Sequence, residues 1–127
     1  MSTARSWFEK SAQDLRMAKA LFEMDAGFKE GSAFMCQQSI EKALKGFLVF
    51  HKVRVAKIHD LVQLSDQALK INTNLKTLSS DMARFTEYAV SYRYPDAANA
   101  KLLPQDVEYA MGRAQEIYNE LAARVLA

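Results

Sequence analysis

The chain has 127 residues, half of them apolar, and a net charge of +2, so residues 1–127 are expected to form a single domain with a self-sufficient core. Its one cysteine, Cys36, excludes an intramolecular disulfide and a multi-cysteine zinc site, and fits a reducing cytoplasm. Met1 to Lys10 lack the apolar run of a signal peptide, and no 18-residue apolar stretch predicts a membrane span.

With four glycines and two prolines against many alanines and leucines, the composition leans to helix. The first predicted helix runs from Ala4 to Met24. Trp7, Ser11, Leu15, Ala18 and Phe22 share one face, widened by Phe8, Ala12 and Leu21. Asp25-Ala26-Gly27 ends it, with Gly27 as a left-handed cap. The second helix spans Lys29 to Val53 and contains Gly46, a residue that often marks a close helix approach. A connection over 54–58 leads to a short third helix, Asp60 to Ile71, whose first residue suits the helix dipole. Leu61, Leu64, Ala68 and Ile71 lie on its inner side.

Asn72-Thr73-Asn74 breaks the chain. A fourth helix is predicted from Leu75 to Val90 or Tyr92, with Leu78, Met82, Phe85 and Ala89 inward. Tyr94-Pro95 stops it, because a residue before proline avoids helical dihedrals. Pro104 opens a fifth helix to Val125, with Val107, Met111, Ala114, Ile117, Tyr118, Leu121 and Val125 inward. No strand pattern of useful length occurs. The expected fold is all-α, an up-and-down antiparallel bundle of four long helices and one short one.

Charge is unevenly placed. Residues 42–59 hold Lys42, Lys45, Lys52, Arg54 and Lys57 with no acid, a local +5. Such a run meets phosphates or forms a solvated face. On the second helix, Phe34, Gln37, Ile40 or Glu41, Leu44 and Leu48 fall near one face, so Gln37 and Glu41 border the apolar seam. A carboxylate there needs a hydrogen-bonding or cationic partner, and Arg93 is the natural candidate.

The motifs for established metal and nucleotide chemistry are missing. There is no Glu-x-x-His, no His-Glu-x-x-His and no phosphate-gripping glycine pattern, so no metal or cofactor is expected. Cys36, beside Met35, reads as a buried inert thiol. Three polar elements remain. The first is Gln37, Gln38, Glu41, Lys42 and Lys45. The second is His59-Asp60-Leu61. The third is Tyr92-Arg93-Tyr94-Pro95-Asp96, where a guanidinium between tyrosines suits stacking or an anion. His51 reads as an exposed helix residue.

Taken in order, Ala12-Gln13-Asp14-Leu15-Arg16-Met17-Ala18, then Phe34 to Lys45 with its Gln-Gln-x-x-Glu-Lys-x-x-Lys pattern, then His59-Asp60-Leu61 and the Arg93-Tyr94-Pro95 corner resemble the HEPN family of small helical domains. The resemblance spans nearly the whole chain. It implies a helical bundle that forms a homodimer. It also implies a minimal nucleotidyltransferase partner, as in toxin–antitoxin type systems, and nucleotide binding or RNA cleavage. In the family's ribonuclease branch an Arg and a His separated by four to six residues face each other across the dimer. Arg93 has no histidine downstream, whereas Arg54 and His59 have that spacing but sit between helices two and three.

The leading expectation is therefore a binding module. Gln38, Glu41, Lys42, Lys45, Tyr92, Arg93 and Tyr94 would contact phosphate, base or partner. The alternative is a metal-independent ribonuclease using Arg54, His59 and Arg93, and a third reading is a purely structural dimerisation domain.

Overall fold

The computed structural model describes residues 3–55, 57–93 and 102–126, with side chains throughout except at 26 and 90–93. Five α-helices make up the described chain: α1 Ala4–Met24, α2 Lys29–Phe50, α3 Leu61–Ile71, α4 Met82–Arg93 and α5 Pro104–Val125. The described residues form no strand, and the architecture is the expected helical bundle.

Local sequence sets the starts of α1, α3 and α5. Thr3 Oγ1 accepts from the Ser6 N–H at 3.1 Å and Ser6 Oγ accepts from the Thr3 N–H at 3.0 Å, a reciprocal cap on α1. Asp60 Oδ1 accepts from the Val62 N–H at 2.9 Å and caps α3. Pro104 starts α5, where Asp106 Oδ2 reaches back to the Leu103 N–H at 2.9 Å.

α2 is the central element and packs on α1, α3, α4 and α5. It buries residues around most of its circumference, which is why its polar residues are so informative. Three small residues spaced by seven, Ser32, Ser39 and Gly46, let α1 come close. Ser32 Oγ donates to Ala18 O at 2.7 Å, and Ser11 and Ser39 each donate a hydroxyl to the other's carbonyl at 2.7 and 2.9 Å. The backbone of Gly46 meets the Phe8 ring. As residue numbers fall along α1 they rise along α2, so the two helices run antiparallel. Phe8, Ile40, Leu44, Phe47, Leu61, Leu64, Phe85, Ile117 and Leu121 fill the shared core.

Three details depart from expectation. Gly27 is not left-handed; its N–H instead donates to Asp25 Oδ1 at 2.7 Å, and a short 3-10 turn, Ala26–Phe28, joins α1 to α2. α2 ends at Phe50 rather than Val53, because Lys52 adopts φ 65°. The Lys52 N–H bonds Val49 O and the Val53 N–H bonds Leu48 O, both at 2.9 Å. This pair of bonds is the left-handed helix stop usually built on glycine.

α4 begins at Met82 rather than Leu75, so the bundle has three long and two shorter helices. Leu75 and Leu78 are still buried, but in an irregular segment. Glu120 on α5 takes the Lys76 and Thr77 N–H groups at 2.8 and 2.9 Å. Arg113, also on α5, bonds Thr77 O and Ser79 Oγ. The backbone groups that a helix would pair internally are thus paired across the fold.

Candidate functional site

Glu41 lies in the middle of α2, with Gln37 one turn before it and Lys45 one turn after. Its Oε1 accepts from Gln37 Nε2 at 3.1 Å, and Gln37 Oε1 accepts from Gln38 Nε2 at 2.7 Å. Its Oε2 meets both Lys45 Nζ and His59 Nδ1, each at 3.1 Å. Every group facing the carboxylate is a donor, as a buried anion requires. Lys45 Nζ also sits 5.5 Å from the centroid of the Trp7 ring, whose face attracts a cation.

Burial separates the roles. The side chains of Lys45 and Glu41 are 3% and 6% exposed, whereas that of His59 is 70% exposed. His59 therefore stands at the surface on a buried ion pair. Its chain is anchored on both sides by buried Val55 and Leu61, and the Leu61 N–H donates to Thr86 Oγ1 on α4 at 3.0 Å. An ionised carboxylate can only accept, so the imidazole carries its proton on Nδ1 and turns Nε2 outward. The outward nitrogen can accept a proton, or donate one to an anion once the ring is charged.

The structure brings together Gln37, Gln38, Glu41, Lys45 and His59. Lys42 turns to the other side of α2 and pairs with buried Asp14 of α1. Arg54 is exposed and has no hydrogen bond or ion pair with any described residue, His59 included. Arg93 is the last residue of α4; its side chain and that of Tyr92, together with all of Tyr94, lie outside the described residues, as does any Glu41–Arg93 pairing. His51 caps the C-terminus of α2, exposed, with its ring 4.7 Å from that of Phe47 and 5.2 Å from that of Phe50.

A second polar cluster escaped the sequence reading. Arg113 is 9% exposed. It donates from Nε to Asp81 Oδ2 at 2.7 Å and from Nη2 to Ser79 Oγ at 3.0 Å and to Thr77 O. Tyr109 donates its hydroxyl to the same Asp81 oxygen at 2.7 Å. Burial would raise the Asp81 carboxyl, but hydrogen bonds from Arg113, Tyr109 and Ser79 and the charge of Arg113 bring it down to about 2. Burial likewise opposes ionisation of Glu120, yet the Thr77 hydroxyl and the Lys76 and Thr77 N–H groups hold it below the usual carboxylate range. All of these groups are tied to one another, so the cluster works as a clasp that holds residues 76–81 on α5. The available signal was an arginine next to Ala114 on the apolar face formed by Ala110, Ala114, Ile117 and Leu121.

Cys36 is fully buried. Burial pushes its thiol up to about 12 despite the opposing charge of Lys19, so it is a poor nucleophile. Among the described residues no cluster of His, Cys, Asp and Glu is placed to hold a metal ion, and no helix is long and apolar enough to cross a membrane.

Comparison with known proteins places this geometry in a family. The crystal structure of an archaeal HEPN homologue superposes with a TM-score of 0.68 at 23% identity, covering 98% of this chain and 99% of that one; it supports the fold. No curated protein matches the sequence significantly. The model of the HEPN domain matches residues 4–124, almost the full span of the chain, and the chain belongs to the HEPN family.

Proposed function

We propose that this HEPN domain is a binding module that recognises the phosphate of a nucleotide or RNA at the face where His59 stands on Glu41. The carrying observation is the exposed imidazole whose Nδ1 lies 3.1 Å from a carboxylate buried against Lys45. Keeping an ammonium and a carboxylate out of water is costly unless their geometry is well satisfied. Here that arrangement orients one surface group. In this reading Glu41, Lys45 and Gln37 position the imidazole, with Gln38 bracing Gln37, and His59 Nε2 makes the contact. Lys42 holds α1 against α2 through Asp14. Arg93, with Tyr92 and Tyr94, supplies a guanidinium and stacking faces. The module acts as a homodimer beside a minimal nucleotidyltransferase, in a two-component system of the toxin–antitoxin type.

The same orientation of His59 favours one second reading, a metal-independent ribonuclease. His59 Nε2 would take the proton from a ribose 2′-hydroxyl. That oxygen would attack the adjacent phosphorus as the bond to the 5′-oxygen breaks, and the leaving oxygen would regain a proton. Arg54 or Arg93 would stabilise the phosphorane.

Titration of purified protein into labelled ATP and a labelled RNA oligomer, followed by a cleavage assay without metal, tests both. Binding that weakens with salt and is lost in His59→Ala, with intact RNA, supports the binding module. Cleavage lost in His59→Ala and in Arg54→Ala or Arg93→Ala makes the chain an enzyme. Binding that is indifferent to salt and to His59 refutes the site.

A further inference from the structure

We infer that the hollow at the α1–α5 seam, lined by Ala12, Leu15, Arg16, Lys19, Gln115 and Tyr118, is a binding site for a small aromatic carboxylate. Arg16 and Lys19 hold the carboxylate, and the ring rests on Ala12 and Leu15. The site shares no residue with the Glu41 cluster and does not rest on the phosphate-binding reading above.

Charge sets the sign of the ligand. No acidic residue lines the hollow. Arg16 is exposed, and its guanidinium has no ion pair or hydrogen bond with any described residue. Lys19 Nζ donates to Gln115 Oε1 at 3.1 Å, a neutral amide that leaves the charge unanswered. Gln115 is itself braced, its Nε2 donating to Asn119 Oδ1 at 2.9 Å. Three residues apart on one helix, the two cations are neighbours and repel each other. A carboxylate between them removes that repulsion and takes the parallel N–H donors of the guanidinium.

Size and lining set the rest. The hollow holds about 130 Å³, below the roughly 300–1,000 Å³ of sites that take drug-sized molecules. A cavity of about 150 Å³ accommodates benzene. One ring with a short substituent therefore fits, and a nucleotide does not. Leu15 is buried, and Ala12 and Tyr118 are half-buried. The Tyr118 ring is fixed by an edge contact with Phe8, 5.9 Å between centroids at 76°, while its hydroxyl has no hydrogen bond with any described residue. Inorganic phosphate would bring its oxygens against Ala12 and Leu15, which offer them no partner. A ring buries apolar surface at the same place.

The test is a titration of the full chain with sodium benzoate, followed by backbone amide shifts in NMR and by thermal melts. Benzamide and inorganic phosphate run in parallel, on wild type, Arg16→Gln, Ala12→Leu and His59→Ala. Benzoate should shift the amides of Leu15, Arg16, Lys19, Gln115 and Tyr118 and saturate them at about 1 mM, as suits a ligand of about nine non-hydrogen atoms. It should also raise the melting temperature. Arg16→Gln should weaken binding about tenfold by removing charge-assisted hydrogen bonds. Ala12→Leu, which fills the hollow, should abolish it. If Ala12→Leu melts below wild type, Arg16→Gln decides alone, since its side chain has no partner whose loss would disturb the fold. His59→Ala should bind benzoate as wild type does, which keeps this site separate from the phosphate site. Benzamide binding as tightly as benzoate overturns the role of the two cations. Phosphate binding more tightly than benzoate overturns the choice of an aromatic ligand. Shifts that are absent, that arise elsewhere or that persist unchanged in Arg16→Gln overturn the site.

Discussion

Gly46→Ala should destabilise the protein although alanine is the better helix former, and the structure shows why. Replacing an interior helix glycine by alanine gains about 1 kcal/mol of propensity. At Gly46 the new Cβ would lie 2.8 Å from Phe8 Cε2, 2.9 Å from Phe8 Cδ2 and 3.1 Å from Trp7 Cβ. Real Cβ atoms essentially never come as close as the two Phe8 distances. The Phe8 ring has no room to retreat, being fully buried with its ring 5.9 Å from Tyr118 in an edge contact. Overpacking of this kind costs about 1–3 kcal/mol, so the net change is a loss of about 1 kcal/mol. Gly112 in α5 is the internal control, since a Cβ there meets nothing within 4 Å. Gly112→Ala should gain about 1 kcal/mol. The two variants should therefore differ by about 2 kcal/mol in urea denaturation, and their melting temperatures should move in opposite directions. If both shift the same way, the claim that Gly46 is reserved for the α1–α2 approach is refuted.

Acid should open the Asp81 clasp. Its folded carboxyl lies at about 2, below the ordinary value near 3.9, so the stability it supplies is present above about pH 4 and disappears as pH falls toward 2. Asp81→Asn should lose less stability over that window than wild type, and parallel curves of stability against pH would refute the assignment. Lys45→Met should cost about 3 kcal/mol by stranding the Glu41 carboxylate in the interior, whereas Lys45→Met with Glu41→Met should recover most of that loss. Chemical denaturation of the single and double variants decides it, and equal losses would show that the pair is not energetically coupled.

The site was legible in part. A carboxylate and an amide bordering the apolar seam of α2 are visible at helical spacing, and so is the need for a partner. Which partner answers is not visible, because Lys45 is one turn away whereas His59 arrives from eighteen residues on, beyond a turn that ends the helix. Nor does spacing distinguish Lys42, which faces Asp14 across α1, from Lys45, which faces inward to Glu41. The Arg113 clasp was missed because its acceptors come from a segment whose helical periodicity suggested no need for outside partners.

The sequence by itself determined the helical class and the span of α1 and α5. It also marked Asp60 at the head of α3 and carried the family resemblance that the HEPN match over residues 4–124 bears out. These depend on apolar period, caps and proline placement, all interactions over a few residues. Tertiary structure alone decided that α4 starts at Met82, that Lys52 rather than Gly27 takes the left-handed turn, and that His59 stands on the Glu41–Lys45 pair. In each case a local preference competes with hydrogen bonds, ion pairs or packing from other parts of the chain. Those interactions exist only once the helices have packed, and a buried charge or unpaired backbone group costs more than a few tenths of a kcal/mol of local propensity.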